Sequence, residues 1–305
     1  MKYKKSFGEI LFEVSNYLFL TLVLCVVILP FVYMFSQSIS NYEKVGLMQV
    51  LLIPKGPHLE AYKTVFTDPQ IGSAFYNSVL YTVTGTVLAL IFQGLGAFAL
   101  SRDTFKARKF FTIMFIFTMY FSGGMIPAYL NMSNLGLLDT MWSIILPMTV
   151  GMYNIILMRT NFCSIPSALI ESAYIDGANE WYIFFKIVVP LSKAIFATIA
   201  VFVAVGIWNN YFTPLLYLQS RDKEPLTILL KRILISGESL GSSVSAAQMA
   251  GGEASVSQGM DPAYQGALEA VKMATVFVTV GPILIVYPFA QKYFVTGVMV
   301  GSVKG

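Results

Sequence analysis

Residues 166–190 read PSALIESAYIDGANEWYIFFKIVVP, the stretch that decides how this chain is organised. Acidic and amide side chains, one glycine and two prolines interrupt a polypeptide that is otherwise mostly apolar. The flanking sequence reads as membrane spans, where such polar groups are costly. We therefore expect this stretch to be exposed to water or docked on another protein.

The local pattern predicts a helix–turn–helix, which we call the elbow (residues 164–190). Ser164 and Pro166 are start signals for a first helix of about three turns. That helix ends near Gly177, where glycine permits a backbone geometry or a close approach that a side chain would block. A second short helix carries an apolar stripe at i, i+3, i+4 and i+7, namely Trp181, Phe184, Phe185 and Val188. Pro190 is predicted to close this second helix.

The other face of the elbow presents three acids, Glu171, Asp176 and Glu180. An ordinary amphipathic helix held at the membrane surface is one interpretation of the segment. A lipid-binding face prefers Lys and Arg, because the cytoplasmic leaflet is anionic. The acids therefore favour a protein cleft with basic residues as the partner.

The composition indicates an integral membrane protein. Hydrophobic residues make up 56% of the chain, charged residues 12%, and the mean hydropathy is +0.68. A soluble domain carries about twice this share of charge. Six segments are apolar for the roughly 20 residues needed to cross a bilayer, at about 17–38, 75–100, 110–130, 141–162, 191–218 and 267–294. The predicted fold is an all-α, polytopic, single transmembrane domain over residues 1–305, with kinks where Gly123, Gly124, Pro127, Pro147 and Gly151 interrupt the third and fourth spans.

The basic residues predict the orientation. Twelve of the 20 Lys and Arg residues fall on one side of the predicted spans, including a compact run at 102–109. By the positive-inside rule, both termini and the elbow are cytoplasmic. The loop at 219–266 is then external, and its Gly- and Ser-rich middle is either a mobile loop or a contact with an external partner.

Other sites are not expected from this sequence. Cys25 and Cys163 fall in different environments, so a disulfide is not predicted, and one histidine gives little basis for a metal site. No basic cluster interleaved with aromatics indicates nucleic-acid binding. The chain also lacks the G-x-x-x-x-G-K-[ST] phosphate loop.

The elbow resembles the EAA loop of ABC importer permeases. That loop has E-A-A, three residues, G, and nine more residues ahead of I-x-x-P. Here the pattern is matched, with the same spacing, by Glu171-Ser172-Ala173, Gly177, Ile187 and Pro190. Ser172 replaces the first alanine, which is a small-for-small change.

The resemblance covers nearly the whole chain and indicates one branch of the ABC importer permeases. The run IESAYIDGANEWYIFFKIVVPLSKAIFATIAVF is similar to the carbohydrate (maltose-type) branch. Residues 121–147, FSGGMIPAYLNMSNLGLLDTMWSIILP, and 296–305, TGVMVGSVKG, are similar to the LplC/YtcP-like subgroup, which handles oligosaccharides or polysaccharide fragments. Ala194 stands where sugar permeases often have a second proline. The resemblance therefore does not predict the exact bend at the base of the fifth span.

The resemblance implies a type I ABC importer permease: a non-catalytic, binding-protein-dependent transport subunit of the bacterial cytoplasmic membrane. Such a subunit works with a second permease, here expected to be a different chain, with two ATP-binding ATPase subunits, and with an extracellular solute-binding protein. ATP and Mg would be bound by the ATPase, and this chain would need no cofactor of its own.

The resemblance also implies roles for the elbow residues. Glu171 would receive a basic ATPase residue, Asp176 and Gly177 would fix the turn, and the neighbouring Ala173, Ala178 and Glu180 would complete the ATPase-coupling face. Anchoring in the bundle would come from Trp181, Phe184, Phe185, Ile187 and Pro190. The tail at 295–305 is similar to tails that reach the ATPase interface, or is a frayed end.

A carbohydrate path needs flat apolar faces for stacking and amides or hydroxyls for hydrogen bonds. Within the predicted spans these are Tyr120, Tyr153, Asn154, Trp208, Asn209, Asn210 and Tyr211. Packing between helices is the alternative role for each of them.

Three other functions compete with this interpretation. A permease of the same superfamily for a non-sugar solute would carry the same EAA loop. A secondary transporter would need ionisable residues inside the membrane, and the predicted spans hold almost none. A membrane enzyme would need a His, Cys and Asp cluster, which the sequence does not show.

Overall fold

A computed structural model describes residues 6–235 and 261–302. Its helices are α1 Phe7–Ser38, α2 Tyr42–Gly46, α3 Glu60–Thr67, α4 Pro69–Ser101, α5 Arg108–Tyr120, α6 Met125–Asn134, α7 Trp142–Thr149, α8 Met152–Phe162, α9 Ser167–Ile175, α10 Glu180–Tyr182, α11 Val189–Leu191, α12 Lys193–Trp208, α13 Phe212–Tyr217, α14 Leu226–Ile235 and α15 Pro262–Ser302. A π-helix at Ile183–Val188 and a 3₁₀ turn at Arg221–Lys223 complete the set. The described residues contain no β-strand, so the predicted all-α fold is confirmed for them.

Three of these helices are long and apolar enough to cross a membrane unaided, namely α1, α4 and α15. Three further candidate spans arise if each of three bent helix pairs is one span, which gives six in the described chain. The long helices extend beyond the predicted apolar cores: α1 begins at Phe7 and α4 at Pro69. Apolar sequence marks the part of a helix within the lipid, whereas the helix itself continues into the interface.

The third and fourth predicted spans are broken near their glycines and prolines. Helices α5 and α6 meet at 114°, and α7 and α8 meet at 42°. With 13 residues, α5 is about 20 Å long, too short to cross a bilayer core of about 30 Å. The chain between α7 and α8 is only two residues long, and the bend there is milder than that between α5 and α6.

Contacts divide the chain into two compact units, and the first comprises Met1–Pro69 and Arg232–Thr279. In it, α2 touches the start of α15 directly. A Cβ on Gly46 would lie 1.7 Å from the carbonyl oxygen of Pro262, and one on Gly266 would lie 1.7 Å from that of Tyr42. The helices can approach this closely only because both positions are glycine.

The second unit comprises Gln70–Lys231 and Val280–Gly305. Helices α4, α7, α8 and α12 supply most of its buried apolar core, to which the elbow also contributes. Gln93 of α4 is a large polar side chain that is fully buried there, and it donates from Nε2 to the carbonyl oxygen of Thr149, at 3.0 Å. This bond satisfies a carbonyl at the end of α7, where the break before α8 leaves no helical partner.

Candidate functional site

The elbow folds as the predicted helix–turn–helix, and Gly177 makes the turn. The Gly177 N–H donates to the Tyr174 carbonyl at 3.0 Å, and the Ala178 N–H donates to the Ala173 carbonyl at 2.9 Å. This pair of bonds is a Schellman motif, which places the residue after the cap in the left-handed region. Gly177 has φ +80°, and a Cβ there would meet nothing within 4 Å. The glycine is therefore required by its backbone angle and not by a close approach.

The second arm begins with a capped turn and continues past the predicted stop. Asn179 Oδ1 accepts the Tyr182 N–H at 2.8 Å and so starts α10. Pro190 lies inside the helical run, which ends at Leu191 and then bends by 84° into α12. The intervening π-helix explains this difference. The N–H of Val189 reaches back five residues to Phe184, and this wider turn accommodates a proline that has no N–H to donate.

The elbow is anchored in the core by a set that overlaps the predicted one only in part. Buried anchors are Ile170, Ala173, Ile183, Phe184 and Val188, with Ile187 half-buried. Trp181 and Phe185 stack on each other at 6.3 Å and are 62% and 53% exposed in this chain. Pro190 is also exposed. The π-helical turn adds a residue to the repeat, so a stripe counted at 3.6 residues per turn does not remain on one face.

Two of the three predicted acids are exposed on the elbow surface. Glu171 on α9 and Asp176 at its C-cap are exposed. Neither forms an ion pair or a side-chain hydrogen bond with another residue of the described chain. Exposed carboxylates without an internal partner are available to a basic partner.

The third acid, Glu180, is engaged by Arg102, the residue that follows α4. Arg102 Nε lies 3.6 Å from Glu180 Oε2, and its Nη2 donates to the Tyr174 hydroxyl at 2.8 Å. The Tyr174 hydroxyl in turn donates to Glu180 Oε1. The guanidinium carbon also lies over two rings, 5.4 Å from the centroid of Phe98 and 5.6 Å from that of Tyr174. One guanidinium therefore joins both arms of the elbow, across Gly177, to the end of α4.

Two features reinforce this junction. Burial and the adjacent Glu180 carboxylate raise the pKa of the Tyr174 hydroxyl. A tyrosine, whose usual pKa is about 10, is in any case a proton donor at neutral pH. Arg159 of α8 donates from Nε to the carbonyl oxygen of Leu100 at 3.0 Å. A cation at this position satisfies an orphan carbonyl and complements the helix dipole.

A groove of about 770 Å³ runs along the elbow. Both arms line it, through Leu169, Ser172, Ala173, Asp176, Gly177, Ala178, Tyr182, Lys186, Ile187, Pro190 and Leu191. Six of the predicted elbow residues thus share one concave surface: Ala173, Asp176, Gly177, Ala178, Ile187 and Pro190. Glu171 is not part of this lining.

The residues predicted to line a carbohydrate path are divided between helices. Tyr120 at the end of α5 and Tyr153 on α8 are exposed, whereas Asn154 is half-buried. Trp208 is buried, with its ring 6.3 Å from that of Phe75. Asn209 and Tyr211 are exposed at the break between α12 and α13.

Asn210 has a structural role in that break. Its Oδ1 accepts the Thr213 N–H at 3.1 Å, and its Nδ2 donates to the Thr213 hydroxyl at 2.9 Å and contacts Met148 Sδ at 3.4 Å. The Asn210 amide therefore caps α13, while Asn209 next to it has no bond of this kind in the described chain.

Sequence reasoning missed Arg102, Tyr174 and Gln93. Arg102 was weighed only as part of the basic run at 102–109. Its partner Tyr174 lies 72 residues further along the chain, and a local periodicity cannot reveal a contact over that distance. The one available signal for Gln93 was an amide in an otherwise apolar span, which indicates a paired polar group.

Comparison with known proteins gives a consistent result. Residues 103–300 match the family described as "Binding-protein-dependent transport system inner membrane component". The polygalacturonan/rhamnogalacturonan transport system permease protein YtcP of Bacillus subtilis (strain 168) is 40% identical over 295 residues, which cover 97% of this chain and 99% of that protein. Protein LplC of the same strain is 39% identical over 294 residues, covering 96% and 95%.

A solved structure agrees with these sequences. It is the crystal structure of a bacterial ABC transporter involved in the import of the acidic polysaccharide alginate. One of its chains matches with a TM-score of 0.86 and 34% identity, over 96% of this chain and 100% of that one. The likeness confirms the predicted type I ABC importer permease fold.

Proposed function

This chain belongs to the binding-protein-dependent transport system inner membrane components, and we propose that it is the membrane-spanning permease subunit of an ATP-driven importer for a carbohydrate. The observation that carries the proposal is the elbow. It holds a turn fixed by Gly177, and Glu171 and Asp176 on its first arm are exposed without a partner in the described part of the chain. A subunit built this way is driven through a partner rather than by chemistry of its own.

The substrate class is an oligosaccharide or polysaccharide fragment. Support comes from the full-length likeness to a permease for polygalacturonan and rhamnogalacturonan, and to a chain from an alginate importer. A solute-binding protein outside the cell delivers this substrate, as the family description implies.

The elbow docks into a cleft of an ATPase subunit. Glu171 and Asp176 pair with basic ATPase residues, while Ala173 and Ala178 keep the groove shallow enough for close packing. ATP and Mg are bound by the two ATPase subunits, and this chain hydrolyses nothing. Closure of the ATPase pair then moves the elbow together with the helices in which Phe184 and its neighbours are buried.

The remaining assembly follows from the same proposal. The chain forms one transmembrane domain in the bacterial cytoplasmic membrane, with both termini and the elbow inside the cell and the loop at 219–266 outside. A second permease subunit of different sequence completes the path. The middle of the outer loop, residues 236–260, and tail residues 303–305 lie outside the described residues.

The sugar path runs past the α12–α13 break. Exposed Asn209 offers an amide to sugar hydroxyls and exposed Tyr211 offers a ring for stacking. Tyr120, Tyr153 and Asn154 contribute from α5 and α8. Trp208 supports the break from the buried side, and Asn210 fixes its geometry.

Cysteine cross-linking tests the docking face. The exposed Cys25 and Cys163 are first replaced by serine. Ser172→Cys, beside Glu171 on α9, is expected to cross-link to the ATPase in membranes holding the whole complex. Ser73→Cys, exposed near the other end of α4, is the matched control and is expected not to react with it. Cross-linking at Ser73 alone would reverse the orientation and overturn the proposal.

Substrate screening tests the carbohydrate assignment. The reconstituted complex is supplied with its binding protein and with oligosaccharides, amino acids or phosphate in turn. Stimulation of ATP hydrolysis by an oligosaccharide supports the proposal. Stimulation only by a non-sugar solute contradicts it.

A further inference from the structure

Helix α14 turns one face toward the α12–α13 break. The hydroxyl of Thr227 donates to the backbone carbonyl of Asn210 at 3.1 Å. One turn later, the ammonium of Lys231 lies 5.5 Å from the centroid of the Tyr211 ring. Residues four apart share a helix face, so both side chains are held beside the break by the same surface of α14.

The Lys231 ammonium has no carboxylate partner in residues 6–235 and 261–302. The residue is half-buried, where an uncompensated charge is unfavourable. Lys223, eight residues earlier, shows the contrasting arrangement: its ammonium pairs with Asp139 Oδ2 at 2.7 Å. Lys231 is therefore a cation held beside an aromatic ring, without a carboxylate partner among the described residues.

We propose that Lys231 receives the carboxylate of an acidic sugar, so that the carbohydrate imported by this permease is a uronic-acid oligosaccharide. The inference rests on the proposed function and names its substrate class. Tyr211 gives the sugar ring an aromatic face, Asn209 gives its hydroxyls an amide, and Lys231 gives its carboxylate a charge-assisted hydrogen bond. A neutral sugar uses the first two contacts only.

The test compares a uronic-acid trisaccharide with its methyl ester, which keeps the skeleton and removes the charge. Uptake is measured in liposomes holding the whole complex, at saturating loaded binding protein, so that selection by the binding protein does not enter. The expected result for Lys231→Gln is a loss of about tenfold in uptake of the acid, with uptake of the ester within about twofold. Lys231→Arg is expected to keep most of the uptake of the uronic-acid trisaccharide. Lys55 is exposed, and Lys55→Gln, which removes the same charge elsewhere, is the matched control and is expected to leave uptake unchanged.

The outcomes separate this inference from the proposed function. Equal acid uptake by Lys231→Gln and the unaltered complex would overturn the role of Lys231 and leave a carbohydrate permease. Uptake of the ester alone by the unaltered complex would overturn the acidic substrate. Uptake of neither, with uptake of a non-sugar solute, would overturn the proposed function as well.

A separate observation concerns Arg102, whose guanidinium contacts Tyr174 on the first arm, Glu180 on the second, and Phe98 on α4. Its side chain is 14% exposed, whereas that of Glu180 is 47% exposed, so the guanidinium itself is shielded from solvent even though its acidic partner is not. We infer that Arg102 is a positioning residue that transmits movement of the elbow to α4. Without it, the elbow still meets the ATPase, but its two arms move independently of the helix.

The chain supplies a matched control for this inference. Arg108 and Asp103 form an ion pair just beyond the end of α4, with side chains 37% and 91% exposed. Exposed pairs of this kind contribute little. Breaking that pair with Arg108→Gln changes charge in the same segment without touching the elbow.

Coupling is measured as ATP hydrolysed per carbohydrate imported, alongside the amount of ATPase retained by the complex. Arg102→Gln is expected to raise the ratio at least fivefold with ATPase retention unchanged. Arg102→Lys is expected to give an intermediate ratio, because an ammonium keeps the charge but not the planar stack. The double variant Arg102→Gln/Glu180→Gln is expected to be no worse than the single one.

A second readout does not depend on transport. Amide hydrogen exchange at 174–182 is expected to accelerate in the purified Arg102→Gln chain and to stay unchanged in Arg108→Gln. Accelerated exchange with a normal coupling ratio would show a purely structural contact and overturn the inference. Unchanged exchange would overturn it too, even if the complex failed to transport.

Discussion

The two ends of α4 meet polar segments of opposite character. At its C-terminal end, Arg102 joins the elbow, where Glu171 and Asp176 are exposed and have no side-chain partner among the residues that the structure describes. At its N-terminal end, Asn77 and Tyr81 bond to the chain just before α14. We call this second region the latch, defined as residues 137–141 with 217–226.

In the latch, both carboxylate oxygens of Asp139 accept hydrogen bonds from the chain itself. Asp139 Oδ1 accepts the N–H groups of Gln219 at 3.0 Å and Ser220 at 2.9 Å, and Oδ2 accepts the Ser220 hydroxyl at 2.6 Å and Lys223 Nζ at 2.7 Å. These donors hold the pKa of Asp139 well below its usual range. A carboxylate whose acceptors are all used by its own chain fixes structure, whereas one with open acceptors is available for binding. The comparison therefore assigns the latch to stability and the elbow to partner recognition.

The largest expected effect is a charge reversal on the elbow. Glu171→Lys would place a cation against the basic ATPase residues of the proposed interface, a change that costs about 2–5 kcal/mol where such an interface is docked. Carbohydrate uptake is expected to fall by about 30-fold or more, with ATPase retention reduced in proportion. Glu43→Lys, an exposed acid on α2, is the control. Normal carbohydrate uptake by the Glu171→Lys complex would contradict the assignment of the elbow, and not the latch, to partner recognition.

A change at the turn of the elbow comes next. Gly177→Val forces a β-branched residue to φ +80°, at a cost of about 1–3 kcal/mol, and uptake is expected to fall about tenfold. Gly177→Asn is expected to lose less, since asparagine tolerates the left-handed region. Gly72→Ala on α4, where a Cβ meets nothing within 4 Å and φ is not positive, is the neutral comparison. Equal effects of Val and Asn would mean that backbone strain is not the cause.

The latch should respond in stability rather than in coupling. Asp139→Ala removes a charge-assisted cluster and is expected to cost about 2 kcal/mol of unfolding free energy, seen as a lower thermal midpoint of the purified chain. ATP hydrolysed per carbohydrate should stay constant for the molecules that remain folded. A changed ratio without a changed midpoint would contradict the assignment.

The same carboxylate gives a pH dependence with a definite sign. Because the folded pKa of Asp139 is depressed, its stabilisation is fully present above the unfolded pKa of about 4. It is lost as the pH falls from there through the lower folded value. The difference in thermal midpoint between the unaltered chain and Asp139→Asn is therefore expected to be constant from pH 7 to about pH 4.5 and to shrink below about pH 4.

The smallest expected effects separate neighbouring amides at the α12–α13 break. Asn210→Ala removes the α13 cap and is expected to cost about 1 kcal/mol of stability. Asn209→Ala leaves the cap intact and is expected to change which carbohydrate is preferred, with an unchanged thermal midpoint. Reversed results would exchange the roles of the two residues.

The sequence predicted the elements of this fold better than their contacts. Apolar segments and the turn at Gly177 are local properties, so the helices and the elbow were found. The register of the second arm was missed because a π-helical turn is not visible in a pattern counted at 3.6 residues per turn. Trp181 and Phe185 were assigned as anchors for that reason, whereas Ile183, which the predicted stripe left out, is buried together with Phe184 and Val188.

Arg102 and Asp139 illustrate the other limit. Each acts through partners far along the chain, 72 residues to Tyr174 and 81 to Ser220. Arg102 was noticed only as one of a basic run, and Asp139 only as a letter within the stretch at 121–147, so neither pattern identified a partner. Composition shows that a charge exists, but only the packed structure shows whether its partner lies inside the chain. The free state of Glu171 and the engaged state of Glu180, nine positions apart, could not be distinguished from sequence.

The central claim is that this subunit supplies the path and takes its driving force through the elbow. The direct measurement is carbohydrate uptake into liposomes that hold the permease pair and loaded binding protein, with and without the ATPase subunits and ATP. We predict uptake only when ATPase and ATP are both present, and its loss in the Glu171→Lys complex. Concentrative uptake by the permease pair alone would contradict the account.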